Sequence, residues 1–416
     1  MAYLPRVVDH ELTLRLQSSG AVLIEGSKAC GKTETASQAS NSRVDVDTDA
    51  RIRELLALDP NLILEGAAPR LIDEWQLAPE LWNYVRRAVD ERRLTGQFIL
   101  TGSAVPADDA TRHSGAGRFS RLRMRPMSLF ESEHSTGAIS LRALLSGEAA
   151  RSVDVGTTVR DVARWIVTGG WPGLHGATEV DAHQSVRDYL DQIRRVDVER
   201  VDGVRRDPNK VGALLRSLAR NTATEVNVST LSADAGGSEG PLSRHTTYQY
   251  LDALERVFIL ESQPAWAPHL RSATILRGSP KRHLVDPSLA AAALGATSSK
   301  LLADYNLLGF LFESLVMREL LVYAQPLGGE VFHYRDASGL EVDAIVATAE
   351  FGWAAFEVKL SPGSIDSAAA SLLKFADRID TRRSGKPVML AVIVGTGYGY
   401  VRSDGVAVIP ISAFGP

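Results

Sequence analysis

The stretch Gly26-Ser27-Lys28-Ala29-Cys30-Gly31-Lys32-Thr33 fits the phosphate-loop pattern G-x-x-x-x-G-K-[ST] at every fixed position. The apolar run Ala21-Val22-Leu23-Ile24 reads as a short buried strand leading in, and Glu34 to Ala39 as a helix leading out. In that order, the glycines let backbone N–H groups turn inward around phosphate oxygens, with the positive end of the helix behind them. The pattern assigns Gly26, Ser27, Lys28, Ala29, Cys30, Gly31, Lys32 and Thr33 to nucleotide binding. Lys32 would reach the β- and γ-phosphates, and the Thr33 hydroxyl would ligate Mg²⁺.

A second short apolar run ends in acids: Leu71-Ile72-Asp73-Glu74-Trp75-Gln76. There Asp73 would hold Mg²⁺ through water, and Glu74 would orient and deprotonate an attacking water. Glu74 beside Asp73 argues for hydrolysis over a small-molecule kinase. Phe98-Ile99-Leu100-Thr101-Gly102-Ser103 is a third buried strand, and Thr101 or Ser103 could sense the γ-phosphate; a strand end with a turn is the simpler alternative. Val44 and Val46 alternate with Asp45 and Asp47, which reads as a solvated strand end rather than a metal site.

His113 to Arg118 reads as a flexible loop. Arg118 is a candidate arginine finger, acting in cis or from a neighbouring subunit of a homo-oligomer. Arg121, Arg123 and Arg125 would share one face of a strand, and a solvated face is the simpler reading for Arg123 and Arg125.

Four segments together carry a resemblance: Gly26–Thr33, Leu71–Gln76, Phe98–Ser103, and Gly117-Arg118 followed by Pro126-Met127-Ser128-Leu129-Phe130-Glu131. They resemble a widespread prokaryotic family of AAA-type ATPases with a C-terminal restriction-endonuclease-like domain. The resemblance implies a doubly wound parallel sheet, ATP with Mg²⁺, and the roles given above. Trp75 departs from the branched aliphatic more usual there, a position without chemistry.

At 416 residues the chain is expected to form two to four domains. A net charge of −4 does not advertise a nucleic-acid binder, although a basic face can sit on an acidic molecule. The single cysteine excludes an intramolecular disulfide, and no apolar stretch reaches membrane-spanning length, so a cytoplasmic setting without membrane contact is expected.

Residues 136–204 read as a helical linker and elbow. Thr168-Gly169-Gly170-Trp171-Pro172-Gly173 is a hard stop, and Asp191, Arg194, Arg195, Asp197, Glu199 and Arg200 form an exposed helical face. Residues 205–265 suggest a winged helix, with Arg244, His245 and Thr247 near the start of a recognition helix. DNA and a protein are both candidate partners for it.

In residues 266–416, Glu313 interrupts the buried face of an apolar helix. Asp343 falls on one strand of a hairpin, and Glu357 and Lys359 share a face of the next. Helical Glu, then Asp, then Glu-x-Lys resembles the PD-D/ExK nuclease superfamily. Glu313, Asp343 and Glu357 are then metal ligands, and Lys359 would orient a hydroxide and neutralise charge on a scissile phosphate. Two readings stay open: the site cuts nucleic acid, or the fold is kept while activity is lost. The expected class is α/β: an N-terminal ATPase sheet at 1–135, a helical and winged-helix-like middle, and a C-terminal nuclease-like α/β domain.

Overall fold

The computed structural model describes residues 3–104, 115–267 and 279–416. His113 and Ser114, from the expected loop before Arg118, lie outside that set. The N-terminal unit is a parallel sheet of β1 (Ala21–Glu25), β2 (Ser42–Asp45), β3 (Arg70–Asp73), β4 (Phe98–Gly102) and β5 (Phe119–Arg123), in the order β2-β3-β4-β1-β5. Both faces are covered, so β1 is apolar from Ala21 to Ile24. Ala21 and Leu23 pack towards Leu81 and Val85; Val22 and Ile24 pack towards Val8 and Leu12 of the first helix.

This order puts β4 between β1 and β3. The loop after β1, the acids ending β3 and the hydroxyls ending β4 therefore emerge side by side at the carboxyl edge of the sheet, where open α/β sheets bind ligands.

The second sheet is mixed, in the order β13-β14-β12-β11-β10-β9. It comprises β9 (Glu330–Arg335), β10 (Glu341–Thr348), β11 (Gly352–Lys359), β12 (Met389–Val394), β13 (Tyr400–Val401) and β14 (Ala407–Pro410). The apolar helix Tyr305–Ala324 covers one face. The pairing of β9 with β10 shifts register between Val342 and Ile345, so a bulge falls at Asp343.

Between the sheets lie the helices Pro208–Arg220, Val228–Gly236 and Arg244–Arg256. The antiparallel ribbon of β7 (Leu260–Gln263) and β8 (Lys281–Leu284) follows. One continuous core runs from Leu129 and Ile139, through the middle helices, to Ile411 and Phe414. The boundaries expected near 204 and 265 therefore fall inside a shared core.

Three sequence readings are corrected. The stretch from Glu133 to Val159 is no free link. It carries β6 (Ile139–Ser140), which pairs with the closing strand β15 (Phe414–Gly415), and the buried helix Leu141–Leu145. Arg123 and Arg125 are not solvated. Both grip Glu261 of β7, at 3.2 and 3.0 Å, and Arg123 also lies 4.0 Å over the Phe258 ring. Burial alone would raise the Glu261 carboxyl, but Arg125 and Arg123 outweigh it and hold it below the ordinary range. Asp197 leaves its exposed face and is buried against the phosphate loop.

The Gly169-Gly170-Trp171-Pro172 elbow is rigid for a steric reason. A Cβ on Gly170 would meet the Met127 carbonyl oxygen at 2.0 Å, and that backbone pair is hydrogen bonded, Met127 N–H donating to Gly170. The Trp171 indole N–H donates to Ser288 at 2.9 Å.

Candidate functional site

The phosphate loop closes on itself. Lys32 is buried and its ammonium donates to the carbonyls of Gly26 and Ser27, at 2.9 and 2.8 Å. Gly31 sits at φ 103°, in the left-handed region that glycine favours, and a Cβ on Gly26 would lie 2.1 Å from the Met124 carbonyl oxygen. The invariant pattern positions are thus demanded by the backbone of this fold.

Thr33 Oγ1 donates to Asp73 Oδ1 at 2.8 Å, and Thr101 Oγ1 donates to the same oxygen. Glu74 is in the left-handed region at φ 54°, a conformation that non-glycine residues rarely adopt. Its carboxylate takes hydrogen bonds from Gln76 Nε2 and, at 3.3 Å, from Ser103 Oγ. Thr101 and Ser103 therefore hold the two acids in the described state. A Mg²⁺ ion fits the donor set of Thr33 and Asp73, two hard oxygens beside a phosphate-binding loop.

Arg118 is placed elsewhere, and its cis reading is corrected. Its carbonyl accepts the Ala21 amide at the start of β1, while the phosphate loop follows the end of β1. A five-residue strand separates them by roughly 16 Å. Its guanidinium pairs with Asp90 at 2.8 Å.

Four residues around the loop escaped the sequence reading in this role. Arg6 donates to the carbonyls of Cys30 and Arg125, both at 2.8 Å, and pairs with Glu131 at 3.1 Å. The Glu131 of the resemblance thus acts on the loop through Arg6. Arg43 on β2 reaches Asp73 at 3.2 Å. Asp197, on the π-helical turn Ile193–Asp197, holds Lys28, and the Tyr189 hydroxyl donates to the Lys28 carbonyl at 3.2 Å. No sequence motif announces such contacts, because they join residues far apart in the chain.

The C-terminal acids come together as their spacing suggested. Asp343 sits beside the paired Ala344 and Phe356, and its Oδ2 accepts from the Val358 amide at 2.8 Å. Lys359 bridges Asp343 at 3.2 Å and Glu357 at 2.7 Å. A second lysine, unforeseen in this role, completes the cluster. Lys281 on β8 reaches Glu313 at 2.6 Å and Asp343 at 3.7 Å.

Burial, then the Asp343 charge, raises Glu357 to about 8 and Glu313 to about 7 against the pull of the lysines. Burial also works against Asp343, but Lys359 and Lys281 outweigh it and lower that carboxyl. Among the described residues no three His, Cys, Asp or Glu side chains are grouped as metal ligands. The acids face lysines, so this arrangement does not present a ready three-carboxylate metal site.

His283 lies behind the cluster, bonded to Ser314 Oγ at 2.8 Å and Gln263 Oε1 at 3.2 Å. Burial and then Lys281 depress it to about 3. The folded state keeps it neutral, whereas the unfolded chain protonates it below about pH 6.5. Its stabilisation is whole above that pH and falls as pH drops towards 3. Between pH 7.5 and 4.5 wild type is expected to lose about 2–3 kcal/mol more than His283→Gln. Urea midpoints at both pH values check this, and equal losses would contradict it.

Three family models match successive parts of the chain. Residues 18–133 match the AAA domain family. Residues 159–300 and 308–414 match two domains of unknown function, DUF8612 and DUF4143. Uncharacterized proteins of Mycobacterium tuberculosis and Mycobacterium bovis are each 24% identical over 400 residues, covering 95% of this chain and 81% of theirs. A Walker-type ATPase of Pyrococcus abyssi aligns with a TM-score of 0.42 at 14% identity, over 69% of this chain and 94% of that one. The AAA match supports nucleotide binding and hydrolysis by the N-terminal unit. Among the described residues no helix is long and apolar enough to cross a membrane.

Proposed function

We propose that this chain binds ATP with Mg²⁺, hydrolyses it, and couples its nucleotide state to a nucleic-acid site in the C-terminal half. The observation that carries the reading is the convergence on Asp73: Thr33 of the phosphate loop and Thr101 of β4 share one carboxylate oxygen beside buried Lys32. With nucleotide bound, Lys32 would leave its carbonyls for the β- and γ-phosphates, and Thr33 and Asp73 would hold Mg²⁺, whose charge would offset that of the phosphates. Glu74 takes a proton from the attacking water. The water oxygen bonds to the γ-phosphorus as the bond to the bridging oxygen breaks, leaving ADP and phosphate. An arginine finger, if Arg118 supplies one, comes from a second copy of the chain.

Coupling follows contacts already in place. Lys28 is held by Asp197, so phosphate entering the loop competes for that lysine. The paired Arg123 and Arg125 tie β5 to the β7–β8 ribbon, whose Lys281 enters the C-terminal cluster. The lysine-filled cluster favours a second reading, in which the nuclease-like fold is silent and the chain is a nucleotide-controlled switch for a protein partner.

Phosphate release from ATP with Mg²⁺ tests the first claim. Wild type is expected to turn over, and Lys32→Ala to fall to background. A wild type that binds no ATP would end the proposal. Incubation with DNA and RNA in Mg²⁺ or Mn²⁺ separates the two readings: cleavage lost in Asp343→Ala favours the nuclease, and intact nucleic acid favours the switch.

A further inference from the structure

A cavity of about 580 Å³ opens between the helix Val228–Gly236, the start of Arg244–Arg256, and β8. Asn227, Ser229, Arg244, Tyr248, Ser279 and Arg282 are among its lining residues, and no carboxylate is. Two arginines on a wall without a carboxylate favour an anion, and Glu255 lies near enough to act on Arg282.

Arg282 is the built part of the site. It is 9% exposed, its Nη1 donates to the Val226 carbonyl at 3.0 Å, and its Nε has no hydrogen-bond partner. Arg282 lies on the cavity wall, and a phosphate entering there meets the charge of its guanidinium. The start of the helix Val228–Gly236, capped by Asn227 through the Thr230 amide, adds its positive end to the same wall.

We propose that this pocket binds a backbone phosphate of a nucleic-acid strand; this deepens the nucleic-acid reading above and rests on it. Two features favour a strand over a free phosphate compound. The exposed Arg244 and Tyr248 both line the pocket, with the Arg244 guanidinium 5.7 Å from the Tyr248 ring centre. An aromatic face beside a cation suits the base next to a gripped phosphate. Adjacent residues of β8 also serve two places. Arg282 lines the pocket, while Lys281 turns the other way to Glu313. A strand held by Arg282 is thereby tethered one residue from the acid–lysine cluster.

The contribution of Arg282 extends the binding surface from the helix that a winged-helix reading favours onto β8. Thr247, which that reading set among the contacts, is fully buried and is withdrawn from it.

The test is fluorescence anisotropy of a labelled single strand of about 20 bases, and of its duplex, with the full chain and neither ATP nor divalent metal. Arg244→Ala and Ser229→Glu alter exposed side chains and are expected to keep the wild-type melting temperature. Each is expected to weaken binding about tenfold, and Arg244→Ala to reduce the slope of log K on log salt by about one. Unchanged affinity in both variants would overturn the proposal, as would a wild type that binds no strand. Displacement of the strand by millimolar inorganic phosphate supports the shared chemistry. Binding of phosphate without binding of any strand would overturn the nucleic-acid assignment. Because no ATP is present, failure of ATP hydrolysis leaves this result standing, and the converse holds.

Discussion

Glu74→Gln is expected to bind ATP within about threefold of wild type and to release phosphate on the order of 10²–10³ times more slowly. The amide keeps the size of the carboxylate and its hydrogen-bonding reach to Ser103, so the pocket is preserved. It loses only the capacity to take a proton from water. The left-handed backbone at φ 54° aims the side chain, and strain of about 1–3 kcal/mol is retained at a position where geometry serves chemistry. Binding by a fluorescent ATP analogue, measured beside phosphate release, separates the two effects. Parallel loss of binding and turnover would make Glu74 a structural residue.

Arg318→Met is expected to cost about 3–5 kcal/mol of folding stability, because it strands two buried carboxylates. Arg318 is fully buried and reaches Asp286 at 2.6 Å and Glu319 at 2.7 Å. Those acids in turn hold the chain elsewhere. Asp286 accepts from the Gly170 amide at the elbow, and Glu319 accepts from the Leu129 amide, at 3.0 and 2.8 Å.

One guanidinium therefore joins the end of the N-terminal unit, the elbow and the apolar C-terminal helix. Burial raises the Glu319 carboxyl even with Arg318 opposing it. Without the arginine that carboxyl rises further, so the deficit is whole only above the variant's raised folded value and shrinks as pH falls through it towards the wild-type folded value. Denaturant midpoints at neutral and mildly acidic pH check both statements. A triple variant that also carries Asp286→Asn and Glu319→Gln should recover part of the loss. A loss below about 1 kcal/mol in Arg318→Met would contradict the joint.

The N-terminal half was the more legible. Local patterns suffice there: an apolar run before a glycine loop, an apolar run ending in acids, and a run ending in hydroxyls are each read within a few residues. The parallel order then brings their ends together, and Asp73, Thr33 and Thr101 meet. The Asp343, Glu357 and Lys359 group was also readable, because strand alternation and a short hairpin fix it.

What stayed hidden was long-range. Lys281 stayed unseen because its partner Glu313 lies on a helix beyond another helix pair. Arg123 and Arg125 looked solvated because Glu261, which neutralises them, belongs to a different module. Asp197 looked like one charge in a polar face, since nothing local reveals that Lys28 folds back onto it. Arg118 carried the right motif at the wrong end of the sheet, which only strand direction discloses.

A metal–phosphate centre between the loop and the β3 acids underlies every role proposed for Lys32, Thr33, Asp73 and Glu74. A crystal soaked with a non-hydrolysable ATP analogue and Mn²⁺ addresses it directly, by anomalous scattering. The predicted result is a manganese peak within bonding reach of Thr33 Oγ1, with Asp73 beside it and Lys32 turned from its carbonyls to phosphate. An ordered analogue bound elsewhere, or a loop still closed on Lys32 at saturating nucleotide, would contradict it.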